Sequence, residues 1–202
     1  RNPISERLKR YFSIINLVDY DDASRYLIFS SILSDFLETG KFDASILDLE
    51  TGIVNSTINA YNQISSELLP TPSRPHYTFN LRDLAKVFQG VLMCDSNHVS
   101  SNDMFARLWV HECRRVFQDR LINTADAEWF DDTLRKQLNE HFSGLQWDDI
   151  VPRNKLFFGS YVSPGGAYTE IPDESRLQTT IEDFLEVYNE ENSKAQMHLV
   201  MF

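Results

Sequence analysis

Between Asp21 and Phe142, apolar residues recur at three- and four-residue intervals in five successive stretches. That spacing puts apolar side chains on one face of a helix. Five such helices joined by short connectors can bury those faces only against one another, which predicts an all-α bundle. The first stretch has Asp21 or Asp22 as cap, carries Tyr26, Phe29, Leu33, Phe36 and Leu37, and stops at Gly40. The second starts near Asp43 and runs through Ile46, Leu47, Ile53, Val54, Ile58, Tyr61, Ile64 and Leu68, where Pro70, Pro72 and Pro75 end it in a stiff connector. Asn80 is a favoured N-cap for the third, from about Leu81 to Met93, with Leu84, Phe88, Val91 and Leu92 on one face. Ser100, Ser101 or Asn102 caps the fourth, whose stripe is Phe105, Leu108, Trp109, Val116, Phe117 and Leu121. Thr124 or Asp126 caps the fifth, which carries Phe130, Leu134, Leu138 and Phe142.

The flanks read differently. A short helix is expected from Pro3 to Arg10, then one strand from Tyr11 to Val18, rich in β-branched and aromatic residues. That strand has no partner nearby, so the rest of its sheet is expected upstream of Arg1. After Gly144 the chain is irregular as far as Leu156, apart from a short strand within Leu156–Val162 and a turn at Pro164-Gly165-Gly166. Asp173 caps a last helix with Leu177, Ile181, Phe184, Leu185 and Tyr188, and an apolar run from Met197 to Phe202 follows. The expected division is therefore 1–20, 21–143 and 144–202, cut from a larger polypeptide.

Charge and missing motifs narrow the chemistry. A formal net charge of −11 argues against general nucleic-acid binding. No run is long and apolar enough to cross a bilayer and no signal peptide is present, so no membrane role is expected and the cytoplasm is the default. Cys94 and Cys113, in no metal-like spacing, read as reduced thiols. There is no phosphate-cradling G-x-x-x-x-G-K-[ST] loop, nucleophile elbow, H-E-x-x-H helix or C-x-x-C pair. His111-Glu112-Cys113 suggests metal or thiol chemistry, but neighbours on a helix point about 100° apart and cannot converge on one ion. Glu112 with Arg115, and Arg115 with Asp119, are spaced for ion pairs on a helix surface. What remains is arginine. Arg82 sits in a first helical turn, where a cation opposes the helix dipole. Arg7 and Arg10 belong to a basic start, with Arg1 and Lys9 against Glu6 alone. A guanidinium fork suits phosphate oxygens and stays charged. The bland alternative is that these arginines are solvated surface residues on an acidic helical interaction scaffold with no nucleotide role. An independent enzyme built on His111, Glu112 and Cys113 is a third reading.

Three stretches resemble the dynein heavy chain family in its own order: Arg1-Asn2-Pro3 through Arg7, Arg10 and Phe12; Asn80-Leu81-Arg82-Asp83; and Leu108-Trp109-Val110-His111-Glu112 through Arg115, Val116 and Asp119-Arg120-Leu121. Phe158-Gly159, Tyr168, Glu170-Ile171, Tyr188-Asn189 and Leu199-Val200 continue the likeness, which spans essentially the whole chain and is nearer the axonemal than the cytoplasmic members. Two departures stand out: Tyr11 replaces the family's His, and Glu6 stands where Pro is common.

The resemblance implies a specific place in that motor. The chain would be the end of the third AAA+ module's large domain, its helical lid of about five helices, and the start of the fourth module. Arg82 aligns with the sensor-2 arginine of the lid, facing nucleotide held by the same module. Arg7 and Arg10 align with the arginines that reach a neighbouring module's nucleotide as a finger, and Glu6 would partly neutralise Arg7, which makes Arg10 the better candidate of the two. ATP or ADP is the implied cofactor, with Mg²⁺ and the phosphate loop supplied by residues outside this chain. The segment alone should not hydrolyse ATP. Implied partners are the neighbouring AAA+ modules of the same heavy chain, other dynein subunits, and microtubules through the full-length motor. The implied location is the cytoskeleton, and specifically the axoneme of a cilium or flagellum. A hinge near Val18 to Asp22 would let the lid swing.

Overall fold

The computed structural model describes residues 4–142, 144–152, 155–162, 164–192 and 195–200. Pro3 at the head of the expected first helix, and Met201 and Phe202 at the end of the expected apolar tail, lie outside them.

Helices dominate. After a four-residue α1 (Glu6–Lys9) come α2 (Asp22–Thr39), α3 (Ala44–Leu47), α4 (Glu50–Glu67), α5 (Leu81–Val91), α6 (Asn102–Phe117) and α7 (Thr124–His141). The bundle is built by α4 packing on both α2 and α7, and by α5 packing on α6. The long helices from α2 to α7 turn their stripes inward: Phe29 and Leu33 from α2, Ile53 and Ile64 from α4, Leu84 and Phe88 from α5, Phe105 and Trp109 from α6, Phe130 and Leu134 from α7. Phe29 and Phe88 stack with ring centroids 4.3 Å apart, joining α2 to α5. Fully burying one such side chain stabilises by about 1.5–3 kcal/mol. The buried polar group of the centre is answered: Trp109 Nε1 donates to Thr57 Oγ1 at 2.9 Å, and Thr57 donates on to the Ile53 carbonyl at 2.6 Å. Gly52 lets α4 meet α7, since a Cβ there would stand 2.9 Å from the His141 carbonyl oxygen.

The caps follow local chemistry. Asp21 accepts from the Ser24 amide, and Ser101 from that of Met104. The start of α7 differs from expectation: Asn123 is the N-cap, without a side-chain capping bond. The expected second helix is two. A tight turn at Asp48 and Leu49, with Leu49 N donating to Ile46 O three residues back, separates α3 from α4.

The expected strand at Tyr11–Val18 does not form. Residues 13–21 adopt no regular element, and Ile15, Leu17 and Val18 are more than four-fifths exposed. A strand needs a neighbour to receive its backbone hydrogen bonds, and among the described residues none lies beside it. Downstream, α8 (Trp147–Ile150) breaks the stretch expected to be irregular, and the expected strand shrinks to β1 (Phe158–Gly159), paired antiparallel with β2 (Thr169–Glu170). Trp147, Ile150, Val151, Leu156, Phe158 and Tyr168 belong to the same buried cluster as the bundle. The last helix, α9 (Glu174–Glu191), is capped by Asp173 as its sequence predicts. No helix among the described residues is long and apolar enough to cross a membrane.

Candidate functional site

The first turn of α5 is held from three directions. Arg82 N donates to Asn80 Oδ1 at 2.9 Å, and Asn80 N donates to Asp83 Oδ2 at 3.1 Å, so cap and first turn close on each other. Upstream, the proline connector is pinned to the head of α7. Tyr77, which is buried, donates from its hydroxyl to Asp126 Oδ2 at 2.9 Å, and Arg74 Nη1 reaches the same oxygen at 2.6 Å. From behind, Arg120 Nη1 lies 3.2 Å from Asp83 Oδ2. Thr78, Asn80, Asp83, Lys86, Arg115 and Arg120 line a 290 Å³ cleft beside this helix start.

Arg82 itself points outward. It is exposed, and its guanidinium has no ion-pair or hydrogen-bond partner among the described residues. A guanidinium without a partner among the described residues can pair with an anion presented from outside the bundle. Arg7 and Arg10 are also exposed, on and just after α1, which buries none of its side chains. Arg10 lies over the Tyr11 ring at 5.9 Å. Glu6 bonds to Lys9 at 2.5 Å, so the acidic neighbour expected to neutralise Arg7 is engaged one turn further on. No hydrogen bond or ion pair joins Arg7 or Arg10 to Arg82 among the described residues.

The His111-Glu112-Cys113 run splits. Cys113 faces the core, where burial pushes its thiol well up and keeps it protonated. Glu112, expected on a helix surface, is fully buried. Arg115 grips Oε2 from Nε at 2.8 Å and Nη2 at 2.6 Å, and the Tyr168 hydroxyl donates to Oε1 at 2.5 Å. Burial and this carboxylate push the Tyr168 phenol up. Gly90 of α5 makes the arrangement possible, because a Cβ there would stand 1.8 Å from Glu112 Oε2. His111 packs its ring on Phe158 at 5.2 Å and donates from Nδ1 to the Leu156 carbonyl at 3.0 Å. Arg107 pairs with Glu170. One side of α6 therefore holds the β1–β2 hairpin. Sequence spacing shows the Glu112–Arg115 pair but nothing of Tyr168. Among the described residues no group of three or more His, Cys, Asp or Glu side chains could hold a metal ion.

Comparison with known proteins fits this geometry. The AAA+ lid domain family matches residues 53–151, which hold α5 and α6. Over its whole length the chain is 40% identical to dynein axonemal heavy chain 1 of Mus musculus and 38% identical to that of Homo sapiens. It is also 38% identical, again over its whole length, to dynein axonemal heavy chain 6 of Homo sapiens. The chain spans 5% of the length of each of these relatives. With a helical lid at its centre and such identity along its whole length, the chain belongs to the dynein heavy chain family, as a stretch that carries an AAA+ lid domain.

Proposed function

We propose that this segment is the nucleotide-responsive lid of an AAA+ module in an axonemal dynein motor. The observation that carries the reading is Arg82, exposed and without a partner among the described residues, at the capped start of α5 within the matched lid. In this reading Arg82 is a sensor-2 residue that meets the phosphates of ATP or ADP held by the large domain of the same module. Phosphoryl transfer depends mostly on positioning and charge stabilisation, and a guanidinium supplies both while staying protonated. Mg²⁺ and the phosphate loop come from elsewhere in the heavy chain. Arg7 and Arg10 reach a neighbouring module's nucleotide, and Arg7, free of Glu6, serves as readily as Arg10.

The module is the third of the ring, with residues 1–20 closing its large domain, 21–143 forming the lid, and 144–202 leading into the fourth. Its partners are then the flanking modules of the same heavy chain, other dynein subunits and, through the whole motor, microtubules in the axoneme. The lid transmits nucleotide state as a movement of α5 relative to the large domain, pivoting on the irregular residues 13–21.

Arg82→Ala in the full-length motor tests the reading. Weaker nucleotide affinity and slower microtubule gliding, with the lid still folded, are expected. Unchanged ATP affinity together with unchanged gliding would return Arg82 to the solvated surface and favour an interaction scaffold. The isolated segment should turn over no ATP. Hydrolysis above a buffer blank that disappears on mutating His111 or Glu112 would point to an enzyme instead.

A further inference from the structure

Arg120 ends the short 3-10 turn Gln118–Arg120 that closes α6, far in sequence from α5. Its guanidinium gathers the whole approach to that helix. Nη2 donates to the carbonyls of His76 at 3.0 Å and Thr78 at 3.2 Å. Nη1 lies 3.2 Å from Asp83 Oδ2, and the cation sits over the Phe79 ring at 5.1 Å. In return, His76 Nε2 bonds to the Arg120 carbonyl at 2.9 Å. Asp83 is buried and passes the restraint on, since the same Oδ2 accepts from Asn80 N, and Asn80 Oδ1 accepts from Arg82 N. Arg120 is thus connected to the backbone of Arg82 through two intervening residues.

We propose that Arg120 is a positioning residue for Arg82, fixing the first turn of α5 and so the backbone point from which the exposed guanidinium reaches toward phosphate. This rests on the reading of Arg82 as the phosphate-facing residue. The helix does not need Arg120 in order to form, because Leu84, Val87, Phe88 and Val91 bury its apolar face completely or nearly so. What Arg120 controls is the cap and the turn before those residues. A lysine cannot replace it: one ammonium is a point charge, whereas this site uses a planar fork across two carbonyls and a carboxylate, stacked on a ring.

The test is a double-mutant cycle in the full-length heavy chain, read by titration with fluorescent ADP, with thermal unfolding as a control on folding. Arg82→Ala should weaken ADP binding at this module's site by about tenfold, the scale of one lost charged hydrogen bond. Arg120→Ala should weaken the same binding severalfold and Arg120→Lys should not restore it. In the Arg82→Ala background, Arg120→Ala should cost nothing further. Independent, multiplying losses would overturn the positioning role, as would full affinity in Arg120→Ala alongside a weakened Arg82→Ala. Should Arg120→Ala fail to fold, Asp83→Asn decides by the same cycle, because its amide oxygen still accepts from Asn80 N while the charge facing Arg120 is gone. A silent Arg82→Ala would overturn the sensor reading itself, a result distinct from failure of the Arg120 inference alone.

Discussion

At the scale of single residues, the most consequential contact joins a glycine to a carboxylate. Gly90→Ala in a helix interior ordinarily stabilises by about 0.5–1 kcal/mol. Here the added methyl would meet the Glu112 carboxylate, and overpacking typically costs about 1–3 kcal/mol. Urea unfolding should therefore show Gly90→Ala destabilised, and most of the loss should vanish in a Glu112→Ala background. Tyr168→Phe removes one donor from a buried acceptor and should cost about 1–3 kcal/mol in the same assay. His111 adds a pH signature. Burial holds its imidazole below the ordinary range against the opposing pull of Glu112 and Asp119, while Arg115 adds to the depression. The unfolded chain then takes up the proton first, so the contribution is whole above about pH 6.5 and declines as pH falls below it. His111→Phe should flatten the dependence of melting temperature on pH between about 7 and 5. Much of this was only half legible in the sequence. Asn80 and Arg82 declare themselves by local spacing, because capping is a contact between near neighbours. Glu112 shows its pairing with Arg115 but not its burial, which Tyr168 and Gly90 impose from distant points in the chain.

At the scale of elements, periodicity located the long helices well and their joints less well. Of the stripe expected on α6, Phe105, Leu108, Trp109, Val116 and Phe117 are buried and Leu121 falls past the helix end, yet Ala106, Val110 and Cys113 are buried as well, because α3, α5 and α8 all contact this helix. Apolar periodicity marks the border between a dry and a wet face, and α6 has little of the latter. The turn between α3 and α4 left no mark, since Asp48 and Leu49 continue a plausible helical pattern. The strand expected at Tyr11–Val18 failed for the opposite reason: its composition suits a sheet, but pairing is supplied by other residues. Amide hydrogen exchange should accordingly find residues 13–20 little protected and α4 and α6 slowest in this chain. For α5, Asn80→Ala should cost about 1 kcal/mol by removing its cap, and thermal unfolding of the 202-residue chain should register it as a lower melting temperature.

At the scale of the whole molecule, the division at Gly144 was drawn where the helical pattern ends, and the buried cluster runs past it to Tyr168. Sequence texture changes there because the chain switches from helices to a hairpin. Packing does not change, since Arg107, His111 and Glu112 hold that hairpin on α6. Pattern and partnership are separate properties, and only the first is written locally. The practical outcome concerns dissection of the heavy chain into autonomous folding units. A fragment of residues 21–143 would leave Glu112 without Tyr168 and strip Trp147 and Phe158 from the hydrophobic interior. Such a fragment should bind a hydrophobic dye and melt broadly, whereas one of residues 21–172 should unfold in a single sharp transition.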